Sequence, residues 1–127
     1  GATPLLIAVH NGNLGLVQAL IDAQADLNLA TNGGSTPLYI AAQEGHLSVV
    51  QALIVARADL NQATDSGATP LVVAAQNGHL GAVQALIAAR ADLNQARGDG
   101  MTPLFMAAQK GHKDVVQALI DARADLN

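Results

Sequence analysis

Apolar and polar positions alternate along the chain with the spacing of short α-helices. Residues 36–45 begin with Thr36 and Pro37, continue with an apolar segment and end at Gly45. Threonine is a favoured N-cap, and proline fits the first helical position because the amide that it lacks would have no partner there. Glycine commonly ends a helix in the left-handed conformation. The pattern predicts a first helix of about ten residues.

A second apolar stripe begins near Leu47. Its apolar residues are spaced at i, i+3, i+6 and i+7, which places them on one face of a helix. We expect this helix to stop near Arg57, because residues 58–67 are rich in Asp, Asn, Ser and Gly, as turns are. The segment therefore predicts two short helices followed by a loop.

The same unit occurs four times. Thr-Pro-Leu begins at Thr3, Thr36, Thr69 and Thr102, a constant spacing of 33 residues, and Val-Gln-Ala-Leu-Ile and Ala-Asp-Leu-Asn recur at the same spacing. A fixed period without insertions is typical of a solenoid, in which each unit buries its apolar faces against its neighbours. We predict one domain over residues 1–127, with repeats at about 1–30, 31–63, 64–96 and 97–127.

These phrases resemble the ankyrin repeat family. Gly-x-Thr-Pro-Leu, Ala-Ala-x-x-Gly-His and Ala-Asp-Leu-Asn follow one another within the unit, and the resemblance covers essentially the whole chain. The resemblance implies an all-α solenoid of stacked helix-turn-helix units, each with a projecting hairpin-like loop. It also implies a concave face made from the loop tips and the first helices.

Two positions depart from the family pattern. The family usually has glycine after the second helix, where the backbone is left-handed, and a non-glycine residue costs about 1 kcal/mol there. The residues at this position are Gln24, Arg57, Arg90 and Arg123. The family also favours histidine after Thr-Pro-Leu, as a polar tie between neighbouring turns. The residues at that position are Leu6, Tyr39, Val72 and Phe105, so we expect apolar packing there instead.

Composition removes several classes of function. The chain has no cysteine, which excludes disulfides, Cys-ligated zinc and iron–sulfur clusters. Its net charge is −4 and only 2% of its residues are aromatic, which disfavours binding to nucleic acid or to an anionic membrane. The longest uncharged stretch, residues 66–89, contains proline and several polar side chains, so we expect no membrane span. We predict a soluble, cytoplasmic protein that needs no cofactor.

The recurring histidines and aspartates do not indicate a metal or catalytic site. Equivalent residues in neighbouring units are separated by about 8–10 Å, the distance between packed helices, whereas zinc needs its nitrogens about 2 Å away. We predict that the histidines close the turn into the second helix and that the aspartates form loop hydrogen bonds. These residues are His46, His79, His112, Asp26, Asp59, Asp92 and Asp125. Since no nucleophile or phosphate-binding motif is complete either, we expect no enzyme activity.

Variation between units collects in the loop and along one side of the first helix. In the family these positions contact partners, although loops also vary because little constrains them. The predicted partner-binding residues are His10, Asn11, Asn32, Ser35, Tyr39, Gln43, Glu44, Asp65, Ala68, Gln76, Asn77, Arg97, Met101, Phe105, Gln109 and Lys110. Tyr39 and Arg97 are the residue types that dominate binding energies. An alternative for Tyr39 and Phe105 is packing between units, and the sequence leaves the two roles open.

The predicted function is a non-catalytic protein–protein interaction module. The alternative is a structural or designed repeat scaffold without a dedicated partner, because the repeated phrases are nearly identical. Solenoids are normally capped by terminal repeats with polar outer faces. Neither terminal unit has such a face, which is the pattern expected of a fragment excised from a longer array. The alternative is head-to-tail contact between the ends, so for the oligomeric state we expect a monomer or a weak head-to-tail assembly.

Overall fold

A computed structural model describes residues 2–127. Over that range the chain forms eight helices and no strand, as the predicted all-α solenoid requires. Each predicted repeat contains one pair of helices. The helices are α1 (Pro4–His10), α2 (Leu14–Asp22), α3 (Pro37–Glu44), α4 (Leu47–Val55), α5 (Pro70–Asn77), α6 (Leu80–Ala88), α7 (Pro103–Lys110) and α8 (Lys113–Asp121).

The first helix of every pair has the predicted N-cap. Thr36 Oγ1 accepts a hydrogen bond from the amide of Tyr39 at 3.1 Å, and Pro37 occupies the first helical position. The same cap opens α1, α5 and α7. Gly45 ends α3 with φ +72°, which confirms its predicted left-handed conformation. The repeated Thr-Pro-Leu phrase is therefore a helix start, set four times along the chain.

Each second helix ends two residues before the position where the sequence departs from the family's glycine. Helix α4 has Ala56 as its C-cap, and Arg57 follows with φ +68°. The equivalent residues also have positive φ values: Gln24, Arg90 and Arg123. The prediction that these non-glycine residues adopt the left-handed conformation is confirmed.

The pairs stack into two rows of helices. Helices α1, α3, α5 and α7 contact one another in sequence, and α2, α4, α6 and α8 form a second row beside them. One apolar core, from Leu5 to Ala124, runs through all four pairs. A small separate cluster consists of buried Ala68, Val72 and Met106, with Tyr39 and Met101 packed against it.

Histidine side chains join neighbouring repeats. His46, His79 and His112 make no side-chain cap on their own helices. Each ring places Nε2 3.0 Å from a carbonyl oxygen in the preceding repeat. The amide of each histidine also closes the turn into the second helix, as predicted: that of His46 donates to the carbonyl of Ala41 at 3.0 Å. Each ring reaches the C-terminal end of the first helix in the preceding repeat, where its acceptors are the carbonyls of His10, Gln43 and Gln76.

Aspartate and asparagine make a second set of ties, between the segments that follow the second helices. Asp59 Oδ1 accepts from the amide of Asn61 at 2.9 Å, and the amide of Asp59 donates to Asn28 Oδ1 at 2.9 Å. The arrangement recurs around Asp92 and Asp125. The predicted loop hydrogen bonding of the aspartates is confirmed. No helix within residues 2–127 has the length and apolar character needed to cross a membrane.

Candidate functional site

Three loops project between the helix pairs, and each is closed by hydrogen bonds of its own. In the loop at residues 31–35, the amide of Thr31 donates to the carbonyl of Ser35 at 3.0 Å. Thr31 Oγ1 also accepts from the amide of Ser35 at 3.1 Å. The loop at residues 64–68 repeats both bonds through Thr64 and Ala68. This is the hairpin-like form that the resemblance implied.

The loop at residues 97–101 is built from different side chains. Arg97 replaces the threonine, and Asp99 Oδ1 accepts from the amide of Met101 at 3.2 Å in its place. Arg97 also donates to Asp99, from Nε to Oδ1 at 3.2 Å. That hydrogen bond holds the pKa of the Asp99 carboxyl below its ordinary value, and the charge of Arg97 acts in the same direction. The third loop therefore presents an ion pair where the others present a hydroxyl.

Neighbouring loops are also tied to one another. The amide of Asp65 donates to the carbonyl of Gly33 at 3.0 Å, and the amide of Gly98 donates to the carbonyl of Ser66 at 2.9 Å. This approach requires glycine at position 67, because a Cβ there would lie 2.7 Å from the backbone nitrogen of Gly98. The three loops therefore form one connected array.

The C-terminal ends of the first helices form a row of polar side chains. His10 Nδ1 is 3.4 Å from Glu44 Oε1, and both side chains are exposed. Asn77 Nδ2 donates to the carbonyl of Gln43 at 3.1 Å. Gln109 and Lys110 continue the row on α7 and are exposed. We call the exposed side chains of these helix ends and of the three loops the front face.

Most of the predicted partner-binding residues contribute to the front face. Those that are exposed on the front face are His10, Asn11, Asn32, Gln43, Glu44, Asp65, Asn77, Gln109 and Lys110, while Phe105 is exposed in the first turn of α7. Those that are half-buried are Ser35, Tyr39, Gln76, Arg97 and Met101. Ala68 corrects the prediction: it is only 5% exposed and packs in the small cluster with Val72 and Met106, so it offers almost no surface to a partner.

Tyr39 and Phe105 occupy a position that packs between repeats. Their counterparts Leu6 and Val72 are 3% and 0% exposed, and Tyr39 itself packs against both apolar clusters. Burial raises the pKa of the Tyr39 hydroxyl, and the positive charge of Arg97 partly opposes that rise. Phe105, in the fourth repeat, is 48% exposed. The geometry favours the packing role for this position.

Asp99 was missing from the predicted binding residues, although it organises the third loop. The sequence does contain a pattern that indicates this role: Arg97 and Asp99 carry opposite charges two residues apart, in a loop too short to separate them. The described residues contain no group of three or more His, Asp or Glu side chains that could hold a metal ion.

Comparison with protein families agrees with this architecture. A family model described as ankyrin repeats (3 copies) matches residues 1–64 and residues 45–127. No curated protein matches the chain. The two matched segments together span the whole sequence, and the four helix pairs fall within them. The chain therefore belongs to the ankyrin repeat family.

Proposed function

We propose that this chain binds a protein partner through its front face. Ankyrin repeats are generally non-catalytic protein–protein interaction modules. The proposal adds the place of contact, namely the loops at residues 31–35, 64–68 and 97–101 together with the C-terminal ends of the first helices.

The observation that carries the proposal is the connected backbone of the loops. Exposed side chains such as Asn32 and Asp65 stand on loops that are hydrogen-bonded within themselves and to each other. A surface that is ordered before binding loses little conformational entropy when the partner arrives. Four repeats at about 10 Å each give a front face long enough for an interface of about 1,600 Å².

The chemistry of the front face favours a polar partner surface. Its helix ends carry amides and a few charges of both signs, including Glu44 and Lys110. Its third loop carries the Arg97–Asp99 pair. Such a surface recognises a partner through hydrogen bonds and local charge, with Met101 as a half-buried apolar contact.

Photo-cross-linking tests the proposal. A photoreactive amino acid is placed at Asp65 in the second described loop, and in a matched variant at Gln51, which is exposed on α4 outside the front face. We expect the variant labelled at position 65 to form a defined cross-linked product in lysate, and the variant labelled at position 51 to form none. A front-face variant combining Asn32→Ala, Glu44→Ala and Gln109→Ala should abolish that product.

Equal cross-linking from both positions, or an unchanged product with the triple variant, would place the contact elsewhere. The absence of any product from either position would favour the alternative of a scaffold without a dedicated partner. A cytoplasmic location also stays a prediction, and cell fractionation tests it.

A further inference from the structure

Three asparagines of the chain are followed directly by glycine, namely Asn11, Asn32 and Asn77. The Asn-Gly sequence is chemically labile, because the backbone amide nitrogen of the glycine can attack the side-chain carbonyl carbon of the asparagine and no Cβ hinders its approach. All three asparagines are exposed. Exposure therefore does not distinguish the three sites, whereas the surroundings of the three glycines do.

The glycine after Asn11 is held at the end of α1. The amide of Gly12 donates to the carbonyl of Val9 at 3.0 Å. The glycine is also covered by the next repeat, since a Cβ at Gly12 would lie 2.9 Å from Nδ1 of His46. Before this amide nitrogen can attack, its hydrogen bond must break and the backbone must rotate beneath the imidazole ring.

The glycine after Asn77 is restrained in the same way at the end of α5. The amide of Gly78 donates to the carbonyl of Ala75 at 3.3 Å, and a Cβ at Gly78 would lie 2.7 Å from Nδ1 of His112. Here the asparagine side chain is also engaged, because its Nδ2 donates to the carbonyl of Gln43 at 3.1 Å. Both helix-end sites are therefore protected by the contacts that join neighbouring repeats.

Gly33 has neither restraint. The amide of Gly34 donates to the carbonyl of Thr31 at 2.9 Å, which closes a turn with Asn32 and Gly33 at its centre. Within residues 2–127, no hydrogen bond uses the amide of Gly33, and no atom other than those of its chain neighbours lies within 4 Å of a Cβ placed there. The nitrogen that must attack is therefore not hydrogen-bonded, and no side chain of another repeat covers it.

We propose that Asn32 is a site of spontaneous deamidation on the front face, and that it reacts faster than Asn11 and Asn77. The amide nitrogen of Gly33 loses its proton to hydroxide and bonds to Cγ of Asn32, and the bond between Cγ and Nδ2 breaks with release of ammonia. Water then opens the resulting succinimide at either carbonyl carbon, which leaves aspartate or isoaspartate at position 32. The net change is the hydrolysis of an amide, so only water is consumed.

Either product adds a negative charge to the front face. The second loop already has Asp65 at the equivalent position, so the turn accommodates an aspartate. Asp65 also adjoins the first loop, since its Oδ1 would lie 2.9 Å from a Cβ at Gly34, and deamidation therefore places two carboxylates on adjacent loops. Isoaspartate in addition lengthens the backbone within the turn. The reaction needs no partner, so the proposal is independent of the proposed function.

Peptide mapping by mass spectrometry, during incubation of the folded chain at mildly alkaline pH, tests the order of reaction. We expect Asn32 to convert about tenfold faster than Asn11 or Asn77, because the glycine amides at those two sites must first break a hydrogen bond. In concentrated urea, where the fold is lost, the three sites should convert at similar rates. Electron-capture fragmentation should find both aspartate and isoaspartate at position 32, as opening of a succinimide requires.

Gly33→Ala is the matched variant. The backbone of Gly33 is not left-handed, a Cβ there meets open space, and Ser66 occupies the equivalent position of the second loop, so we expect the variant to fold. The new Cβ hinders the attack, and the conversion of Asn32 should slow by about tenfold while that of Asn11 and Asn77 is unchanged.

Several results would overturn the proposal. They are equal rates at the three sites in the folded chain, faster conversion of Asn11 or Asn77 than of Asn32, or an unchanged rate at Asn32 in Gly33→Ala. A difference between the sites that persists in urea would contradict it as well, because the order would then come from the neighbouring sequence and not from the fold. Aspartate without isoaspartate at position 32 would contradict the route through a succinimide.

Discussion

His79 Nε2 lies 3.0 Å from the backbone oxygen of Gln43, so the imidazole of one repeat is hydrogen-bonded to the first helix of the repeat before it. Because a carbonyl oxygen only accepts, Nε2 carries the proton. The same ring covers Gly45, where a Cβ would lie 2.7 Å from His79 Nδ1. The adjacent Gly-His pair therefore acts between repeats: its glycine leaves room for the histidine of the next one.

Alanine at Gly45 is expected to destabilise the fold more than alanine at Gly111. Both glycines have a left-handed φ, +72° and +76°, so both variants carry backbone strain of about 1 kcal/mol. Only Gly45→Ala also collides with the histidine of the next repeat, since nothing lies within 4 Å of a Cβ at Gly111. We expect an additional loss of about 1–3 kcal/mol in the free energy of unfolding, measured by urea denaturation.

The double variant Gly45→Ala, His79→Ala separates the two causes. Removing the ring should recover part of the added loss, giving a coupling energy of about 1 kcal/mol. Equal stabilities of Gly45→Ala and Gly111→Ala would show that the histidine ring moves aside at no cost.

Glycine at Arg57 is expected to stabilise the chain. Arg57 has φ +68°, so its backbone is in the left-handed conformation. Its side chain is exposed and makes no buried contact that would offset the strain. Arg57→Gly removes up to about 1 kcal/mol of backbone strain. Part of this gain is lost because glycine makes the unfolded chain more flexible. The expected result is a higher midpoint in thermal and urea denaturation. Ala56→Gly is the matched control: Ala56 has φ −78°, so glycine there should lower the midpoint.

The local structure was predictable from the sequence because each signal acts within a few residues. Thr36 and Pro37 start a helix through their own hydroxyl and ring, and Gly45 and Arg57 stand where a helix must end. The 33-residue period then predicted that the helix pairs stack, since one pair cannot bury its own apolar face.

Contacts between repeats were less predictable. The acceptor of His79 lies 36 residues earlier, and choosing it requires the angle between two repeats, which no local pattern encodes. The same limit applies to Ala68, which varies between repeats yet is buried against Val72 and Met106. Sequence variation between the repeats identified the loop correctly. It does not distinguish the loop positions that are exposed from those that pack against the next helix.

Removing the Tyr39 side chain is expected to destabilise the fold and not only to weaken the binding of a partner. Tyr39 packs against the small cluster of Ala68, Val72 and Met106 as well as the main core. Tyr39→Ala should lower the free energy of unfolding by about 2–3 kcal/mol, somewhat less than for a fully buried aromatic residue. Phe105→Ala is the matched control at the equivalent, exposed position and should cost less than about 1 kcal/mol. Similar losses in both variants would contradict the packing role.

The Arg97–Asp99 pair is expected to lower the pH at which the Asp99 carboxyl titrates. The hydrogen bond from Arg97 lowers the pKa of Asp99 below its ordinary value of 3.8, and the amide of Met101 adds to this effect. A lowered pKa means that the pair favours the folded loop above pH 3.8, and that this contribution is lost as the pH falls through the lower pKa of Asp99 in the folded chain. Carboxyl carbon NMR should find the Asp99 midpoint below 3.8 and moved back toward that value in Arg97→Ala. Arg90→Ala, at an exposed arginine after α6, should leave the midpoint where it was, and a midpoint insensitive to Arg97→Ala would show that the guanidinium does not hold the carboxylate in solution.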